Sequence, residues 1–246
     1  MAETLLRSQQ AFGGDGWQPA KGSWSYASAD APTFVITVPS GAASIYNVGD
    51  RIKLTQTTVK YFIITAITDT TLTVYGGIDY TLVDAAISLN YYSHQKAPLG
   101  FPLSPIKWTV VATDNGNRSQ SSPAANTWYN LNAALAITIP IGIWSTSYRV
   151  MLDGYVASGT NPETQATLST ANNSESDVYS TIAMSHQAPT GVNSFQLAMP
   201  GPTRVLVLAA KTVYYLNART RTSGQGSISF RGDTVLTVIS ATCSYL

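Results

Sequence analysis

The stretch from Tyr46 to Pro102 changes character at every second residue, and that period constrains the fold more than any other feature of the chain. In VGDRIKLTQ, Gly49-Asp50 supplies a turn, after which Ile52, Leu54 and Gln56 share one side and Arg51, Lys53 and Thr55 the other. This is the pattern of a strand with one dry face. Lys60 to Ile67 follows, with Phe62, Ile64 and Ala66 on one face and Tyr61, Ile63, Thr65 and Ile67 on the other, so both faces read as covered. Asp69-Thr70 makes a tight return into Thr71 to Tyr75, and Gly76-Gly77 ends that strand because glycine takes positive φ at little cost. Strands joined this way form an antiparallel meander, a small barrel or half of a sandwich. The only helical stretch the sequence predicts is a turn or two over Val83 to Ser88, with Leu82, Ala86 and Ile87 as its apolar side.

Upstream, a polar lead carrying Leu5, Leu6 and Phe12 meets Gly13-Gly14-Asp15-Gly16, the pattern of a flexible arm able to dock on a neighbour. Trp17, Trp24 and Tyr26 then alternate with small polar residues, and Phe34, Ile36 and Val38 form a strand that Pro39-Ser40-Gly41 ends. Downstream, the stretch from Ala97 to Pro105 contains Pro98, Pro102 and Pro105, which forbid continuous helix or a central strand. The predicted organisation is an arm over 1–13, a small anchoring β module over 14–97, a semi-rigid linker over 98–105 and a head over 106–246.

In the head, Lys107 to Asp114 sets Trp108, Val110 and Ala112 against Lys107, Thr109, Val111 and Thr113, and Asn115-Gly116 turns the chain. Thr127 to Leu131, Leu135 to Pro140, Gln165 to Thr170, Val178 to Ser185 and Ser194 to Met199 are short strand candidates. Ser147 to Ala157 is longer, with Tyr148, Val150, Leu152 and Val156 opposite Arg149, Met151, Asp153 and Tyr155. Pro200-Gly201-Pro202 reads as a sharp turn, and Arg204 to Ala210 as a strand covered on both faces. Lys211 to Thr222 turns basic at Arg219 and Arg221, and Ile228 to Arg231 and Val235 to Tyr245 close the chain. Eight to ten short antiparallel strands with Pro and Gly turns give an all-β chain: a small N-terminal β barrel or meander, then an antiparallel jelly-roll sandwich.

Only 11% of residues are charged, against about a quarter in ordinary globular domains, so Ser, Thr, Asn, Gln and Tyr must cover the surface. A formal net charge of +1 supplies no broad footprint for nucleic acid or anionic lipid, and no apolar run approaches the ~20 residues of a membrane span. The N-terminus has no signal-peptide pattern, which predicts synthesis in a host cytoplasm, with departure by lysis or within a particle. Cys243 is the single cysteine, so no internal disulfide forms, and the last strand takes it as a small buried residue.

Candidate chemistry is sparse. His94 and His186 lie far apart, and no HxH, HExxH or paired-cysteine spacing offers a metal site. Glu163, Glu175 and Asp177 share one polar region, as a glycosidase pair or calcium site would, but read better as solvated loop charge. No glycine pattern for nucleotides is present, and no cofactor is expected. Arg231-Gly232-Asp233 matches an adhesive tripeptide and reads best as a hairpin turn. Aromatics are the informative excess, with 14 Tyr; Tyr91, Tyr92, Tyr129, Tyr214 and Tyr215 are candidates for stacking on a host surface glycan, with core, edge or interface packing as the ordinary alternative.

The arrangement of GWQPAKGSWSYAS, VGDRIKLTQ, KYF, GGIDYTL and YYSH with GFP resembles a module of tailed-phage virion proteins, of the fibre, tail-tip or head-decoration kind, across roughly residues 16 to 102. Its motifs are turn glycines and core aromatics, so the resemblance carries over no catalytic residue. The closing run KTVYYLNARTRTSGQGSISFRGDTVLTVISATCSYL is similar to the end of a jelly-roll head of the complement and tumour-necrosis-factor kind, which implies a homotrimer and no particular ligand. Together the resemblances imply a non-enzymatic virion protein with other virion proteins as partners: a trimeric short tail fibre or receptor-binding protein in host attachment, with a capsid decoration protein as the alternative. A virion polysaccharide-degrading enzyme is the reading from a different class, and the shortage of acidic residues weighs against it.

Overall fold

The computed structural model describes residues 15–101, 108–156, 163–185 and 194–245, and is all-β. The chain divides into two compact units, one ending at Thr109 and one running from Val110 to Tyr245. The N-terminal arm, the end of the proline-rich stretch and His186 lie outside the described residues.

The first unit is a seven-stranded antiparallel sheet built from β1 (Gln18–Pro19), β2 (Ser25–Asp30), β3 (Thr33–Thr37), β4 (Arg51–Gln56), β5 (Thr58–Ile67), β6 (Thr71–Tyr75) and β7 (Ser88–Ser93), in the order β1-β7-β4-β5-β6-β3-β2. The alternation in β4 is realised from Ile52 on: Ile52, Leu54 and Gln56 are buried and Lys53 and Thr55 half-buried opposite them, whereas Arg51, expected on the side of Lys53, is buried with its guanidinium 5.3 Å over the Phe101 ring. Gly49, at φ 95°, permits the turn that enters the strand. In β5 a register shift between Ile64 and Ala66 turns Ala66 out to solvent, although the sequence pattern places it with Phe62 and Ile64. The inner core joins Trp24, Ile36, Val38, Tyr46, Phe62 and Leu72 with their neighbours.

Two features of this unit correct the sequence reading. TLVDAAIS forms no helix: its backbone bends with the Ala85 amide on the Val83 carbonyl at 2.8 Å, and the Gln56 side-chain amide donates to the carbonyls of Val83 and Ala85 at 2.9 and 3.0 Å. A buried glutamine therefore takes the backbone groups that a helix would have satisfied internally. Among the described residues of this unit the short helix is α1 (Ala42–Ile45), which follows Gly41. The second correction concerns Trp108, expected inside the head. It stacks on Phe101 (centroids 5.9 Å, 13° apart) and lies 5.4 Å from Tyr75, joining an aromatic layer on the first unit that continues through Tyr61 to Trp17. The Trp17 indole N–H donates to the Leu99 carbonyl at 2.8 Å, which fixes Pro98–Phe101 onto that layer.

The second unit has β8 (Thr109–Asp114), β9 (Asn117–Ser121), β10 (Ala136–Ile139), β11 (Gly142–Tyr155), β12 (Glu163–Ser169), β13 (Thr181–Ser185), β14 (Ser194–Pro200), β15 (Arg204–Leu208), β16 (Thr212–Thr220), β17 (Ser227–Arg231) and β18 (Thr237–Tyr245). Its spine is β11, 14 residues long. Along one edge of β11, β18 pairs with Ile143 to Arg149 and β17 with Leu152 to Tyr155; along the other, β15 pairs with Gly142 to Thr146 and β14 with Arg149 to Tyr155. Each pair is therefore a single row interrupted midway. β8 against β18 and β9 against β17 repeat the arrangement.

Counting interrupted strands as one row, the spine sheet runs 1-8-3-6 in chain order and the second sheet, β10-β16-β12-β13, runs 2-7-4-5. This is jelly-roll connectivity. Pro200-Gly201-Pro202 and Asn115-Gly116 are consequently not reversals but breaks after which the chain continues in the same direction, and the same holds for Arg231-Gly232-Asp233. The breaks sit side by side: the Gly232 amide donates to the Gly116 carbonyl at 3.1 Å, and a Cβ on Gly232 would stand 2.4 Å from the Asp114 carbonyl oxygen. Tyr148 locks the level from within. Its ring lies where a Cβ on Gly201 would be, and its hydroxyl reaches the carbonyls of Ala166 and Ser180 at 3.0 and 2.8 Å.

Between the sheets, Trp144, Val150 and Leu152 of β11 meet Ile137, Ile139, Ala166, Leu168 and Leu216, all buried. Thr127 to Leu131 contributes only an isolated bridge, Tyr129 to Ala218, in place of the expected strand.

Candidate functional site

The outer faces of the two head sheets have opposite fates. On the second sheet, register aligns Gln165 with Arg219 and Thr167 with Asn217, facing away from the core. The Arg219 guanidinium stands 4.3 Å over the Trp128 ring, donates from Nε to Gln165 Oε1 at 2.6 Å and reaches Glu175 at 3.8 Å. Thr181 donates to the same Glu175 carboxylate, and Gln165 Nε2 donates to Glu163 Oε1 at 2.7 Å. Asn217 Nδ2 donates to the carbonyls of Ala171 and Ser174, which binds the 170–177 loop down over this face. Thr167 and Asn217 are fully buried as a result. The basic end of β16 is thus neutralised from within the chain.

This network also accounts for the three carboxylates read as a possible acid pair or calcium site. Glu175 is tied to Arg219 and Thr181, Glu163 lies 3.9 Å from Arg221, and Asp177 caps the 3-10 turn at Val178–Ser180 and pairs with Arg204 at 3.3 Å. Among the described residues, no group of three or more His, Cys, Asp or Glu side chains converges as metal ligands.

The spine sheet's outer face carries no such cover among the described residues. Val205 and Val207 of β15 are 65% and 77% exposed, in register with Ser145 and Ile143. The expectation that Arg204 to Ala210 is covered on both faces therefore fails for the isolated chain: only the side shared with Trp144 is sheltered. Beside these valines, Ser147 and Ser240 place their hydroxyls 3.1 Å apart across β11 and β18. At the row break an open depression of about 450 Å³ is lined by Ser147, Arg149, Pro200, Gly201, Thr203 and Ser240.

The structure scatters the tyrosines singled out in the sequence. Tyr91 lies against the Lys53 ammonium (4.4 Å), which is shared with Trp17 (4.9 Å), on the outer side of the first unit. Tyr92 packs edge-on against Tyr46 and His94, each at 5.2 Å. In the second unit the Tyr129 hydroxyl accepts the Ala124 amide at 2.9 Å, while register sets Tyr214 beside Ile137 and Tyr215 beside Ser169, on opposite faces of β16. Burial pushes the Tyr46 hydroxyl up to about 12, with Tyr92 adding to the effect, and raises Tyr148 further and Tyr214 more modestly.

His94 Nδ1 lies 2.8 Å from Asp50, whose carboxylate also accepts the Asn47 amide at 2.7 Å. In the Arg-Gly-Asp triplet the arginine grips its own aspartate through two contacts, 2.9 and 3.0 Å, and reaches Asp153 at 3.3 Å. Neither charge stands ready for a partner. Sequence reasoning missed the Arg219–Gln165–Trp128 arrangement, for which the only signal was the basic turn at the end of β16.

No family model and no curated protein matches the chain. Among solved structures it is similar to the T=1 particle protein derived from infectious bursal virus (13% identity, 98% of this chain and 74% of that one, TM-score 0.36). It is also similar to the VP2 subviral particle of infectious bursal disease virus (11% identity, 94% and 77%, TM-score 0.29) and to the Gx strain of that virus (15% identity, 90% and 63%, TM-score 0.29).

Proposed function

We propose that this chain is a virion structural protein working by shape and contact, its first unit an anchoring module and its jelly-roll unit a homotrimeric head that serves host attachment on a short tail fibre. The observation that supports this most directly is the architecture of the second unit. Rows ordered 1-8-3-6 and 2-7-4-5 make a rigid sandwich, and it follows a separately folded module whose motifs resemble those of phage virion proteins. The charged groups that catalysis would recruit are engaged in fastening loops: Glu163, Glu175 and Asp177 each hold a strand end or a loop in place.

The test is quantitative mass spectrometry and immunogold labelling of intact particles of the virus that encodes the chain. The reading expects the protein at the tail in tens of copies or fewer. Hundreds of copies over the shell would assign it to capsid decoration, and absence from particles, or breakdown of host capsule by the pure protein, would overturn the reading.

A further inference from the structure

We infer that the bare outer face of the spine sheet, centred on Val205 and Val207 of β15, is a self-association surface whose occupant is a second copy of this chain. It rests on the assembly reading above only in taking the head to pair with itself.

Four observations carry it. Among the described residues the face has no cover, while its counterpart on the second sheet is sealed by the chain's own 170–177 loop. Charge is missing from the half of it around the two valines: Gly142 to Ser147 of β11, Val205 to Leu208 of β15 and Val238 to Thr242 of β18 contain no Asp, Glu, Lys or Arg. A phosphate-rich or lipid-headgroup partner would need cations there, whereas an uncharged face can meet its own copy without like-charge repulsion.

The third observation is the row of hydroxyls of Ser145, Ser147 and Ser240, half-buried across β11 and β18. A hydroxyl both donates and accepts, so two identical ladders satisfy each other where two rows of amines or carboxylates would not. The fourth is size. The 14 residues of β11 at about 3.3 Å each and four rows about 4.8 Å apart give a face of about 46 by 19 Å, close to 900 Å². That is the outline of the whole outer face, its charged half included, and it is comparable with the ~800 Å² per partner of a stable interface. Arg149, midway along β11 beside the row break, and the Arg231–Asp153–Asp233 group beyond it supply the polar rim on that side of the uncharged patch.

The experiment is sedimentation equilibrium with the full chain at about 10 µM, on wild type and on Val205→Lys, Val207→Lys and the double variant, with Ser147→Arg as an independent change on β11. Ile78→Lys, at a residue 62% exposed on the first unit, is the control. Wild type is expected at a multiple of 26.2 kDa. The double variant should associate at least 100-fold more weakly, with its melting transition retained, and Ile78→Lys should behave as wild type. If a lysine variant fails to fold, Val207→Ser replaces it and must still weaken association. Association unchanged in the double variant, or lost only in Ile78→Lys, overturns the face while leaving the homotrimeric reading intact. A monomeric wild type overturns both and assigns the face to a different protein or segment.

Discussion

Replacing Gly232 by alanine tests the interrupted-row architecture at its tightest point. A Cβ there would stand 2.4 Å from the Asp114 carbonyl oxygen and 2.7 Å from that of Gly116. Both atoms are backbone, so no side chain can rotate away, and the rows must part by several tenths of an ångström. Overpacking of this kind costs about 1–3 kcal/mol. The displacement also loosens the Gly232 to Gly116 hydrogen bond, at 3.1 Å the direct tie between adjacent breaks, worth about 1 kcal/mol. The sum, about 2–4 kcal/mol, lowers the melting temperature of a domain this size by roughly 10 °C. Differential scanning calorimetry resolves the effect, with Gly224→Ala as comparator. Gly224 has φ 75° and nothing within 4 Å of its would-be Cβ, so that change costs only the left-handed backbone term, about 1–2 kcal/mol. If Gly232→Ala melts no lower than Gly224→Ala, the breaks do not abut as described.

Three further outcomes follow from the buried polar groups. Arg219→Ala should destabilise the second unit by about 2–3 kcal/mol, because it strands Glu175 and removes the guanidinium from Trp128; urea melts in which Arg219→Ala and wild type coincide would contradict this. Asp114 is held down to about 2, chiefly by the Arg118 hydrogen bonds and further by Gly116 and Asn132. A carboxyl depressed in this way adds stability above its ordinary range that disappears as pH falls from about 4 to 2. Screening at the half-exposed Arg118 brings the gain to about 1 kcal/mol, so Asp114→Asn should flatten the acid limb of a Tm-against-pH curve. Tyr46, raised by burial to about 12, works in the opposite sense. Its contribution is intact below pH 10 and lost as pH climbs toward 12, and ultraviolet titration should find Tyr46 and Tyr148 un-ionised until the fold opens.

The strands of the first unit were legible because alternation is a local property. Ile52, Leu54 and Gln56 face inward simply because successive side chains point to opposite sides of a pleat. The same logic placed Tyr148, Val150 and Leu152 on one face of β11, though it began that strand five residues late, since Gly-Ile-Trp at 142–144 puts two large apolar residues in succession. The tyrosines were visible as an excess, but their distribution over two units and both faces of β16 was not, because neighbours in sequence say nothing about what lies across a sheet.

By itself the sequence determined an all-β chain, most of its strands and which of their faces are dry, since these follow from the backbone period and the residues that interrupt it. Only the tertiary structure decided whether an interruption reverses the chain. Pro200-Gly201-Pro202 and Arg231-Gly232-Asp233 look like hairpin turns, yet the long β11 strand gives both flanking segments a partner in the same direction, so hydrogen bonding to β11 outweighs the local preference to turn back. It likewise decided which apolar face stays bare, for coverage depends on where the carbonyls of the 170–177 loop can reach a donor: the Asn217 amide offers one on the second sheet, and among the described residues no loop lies over the hydroxyls and valines of β11, β15 and β18.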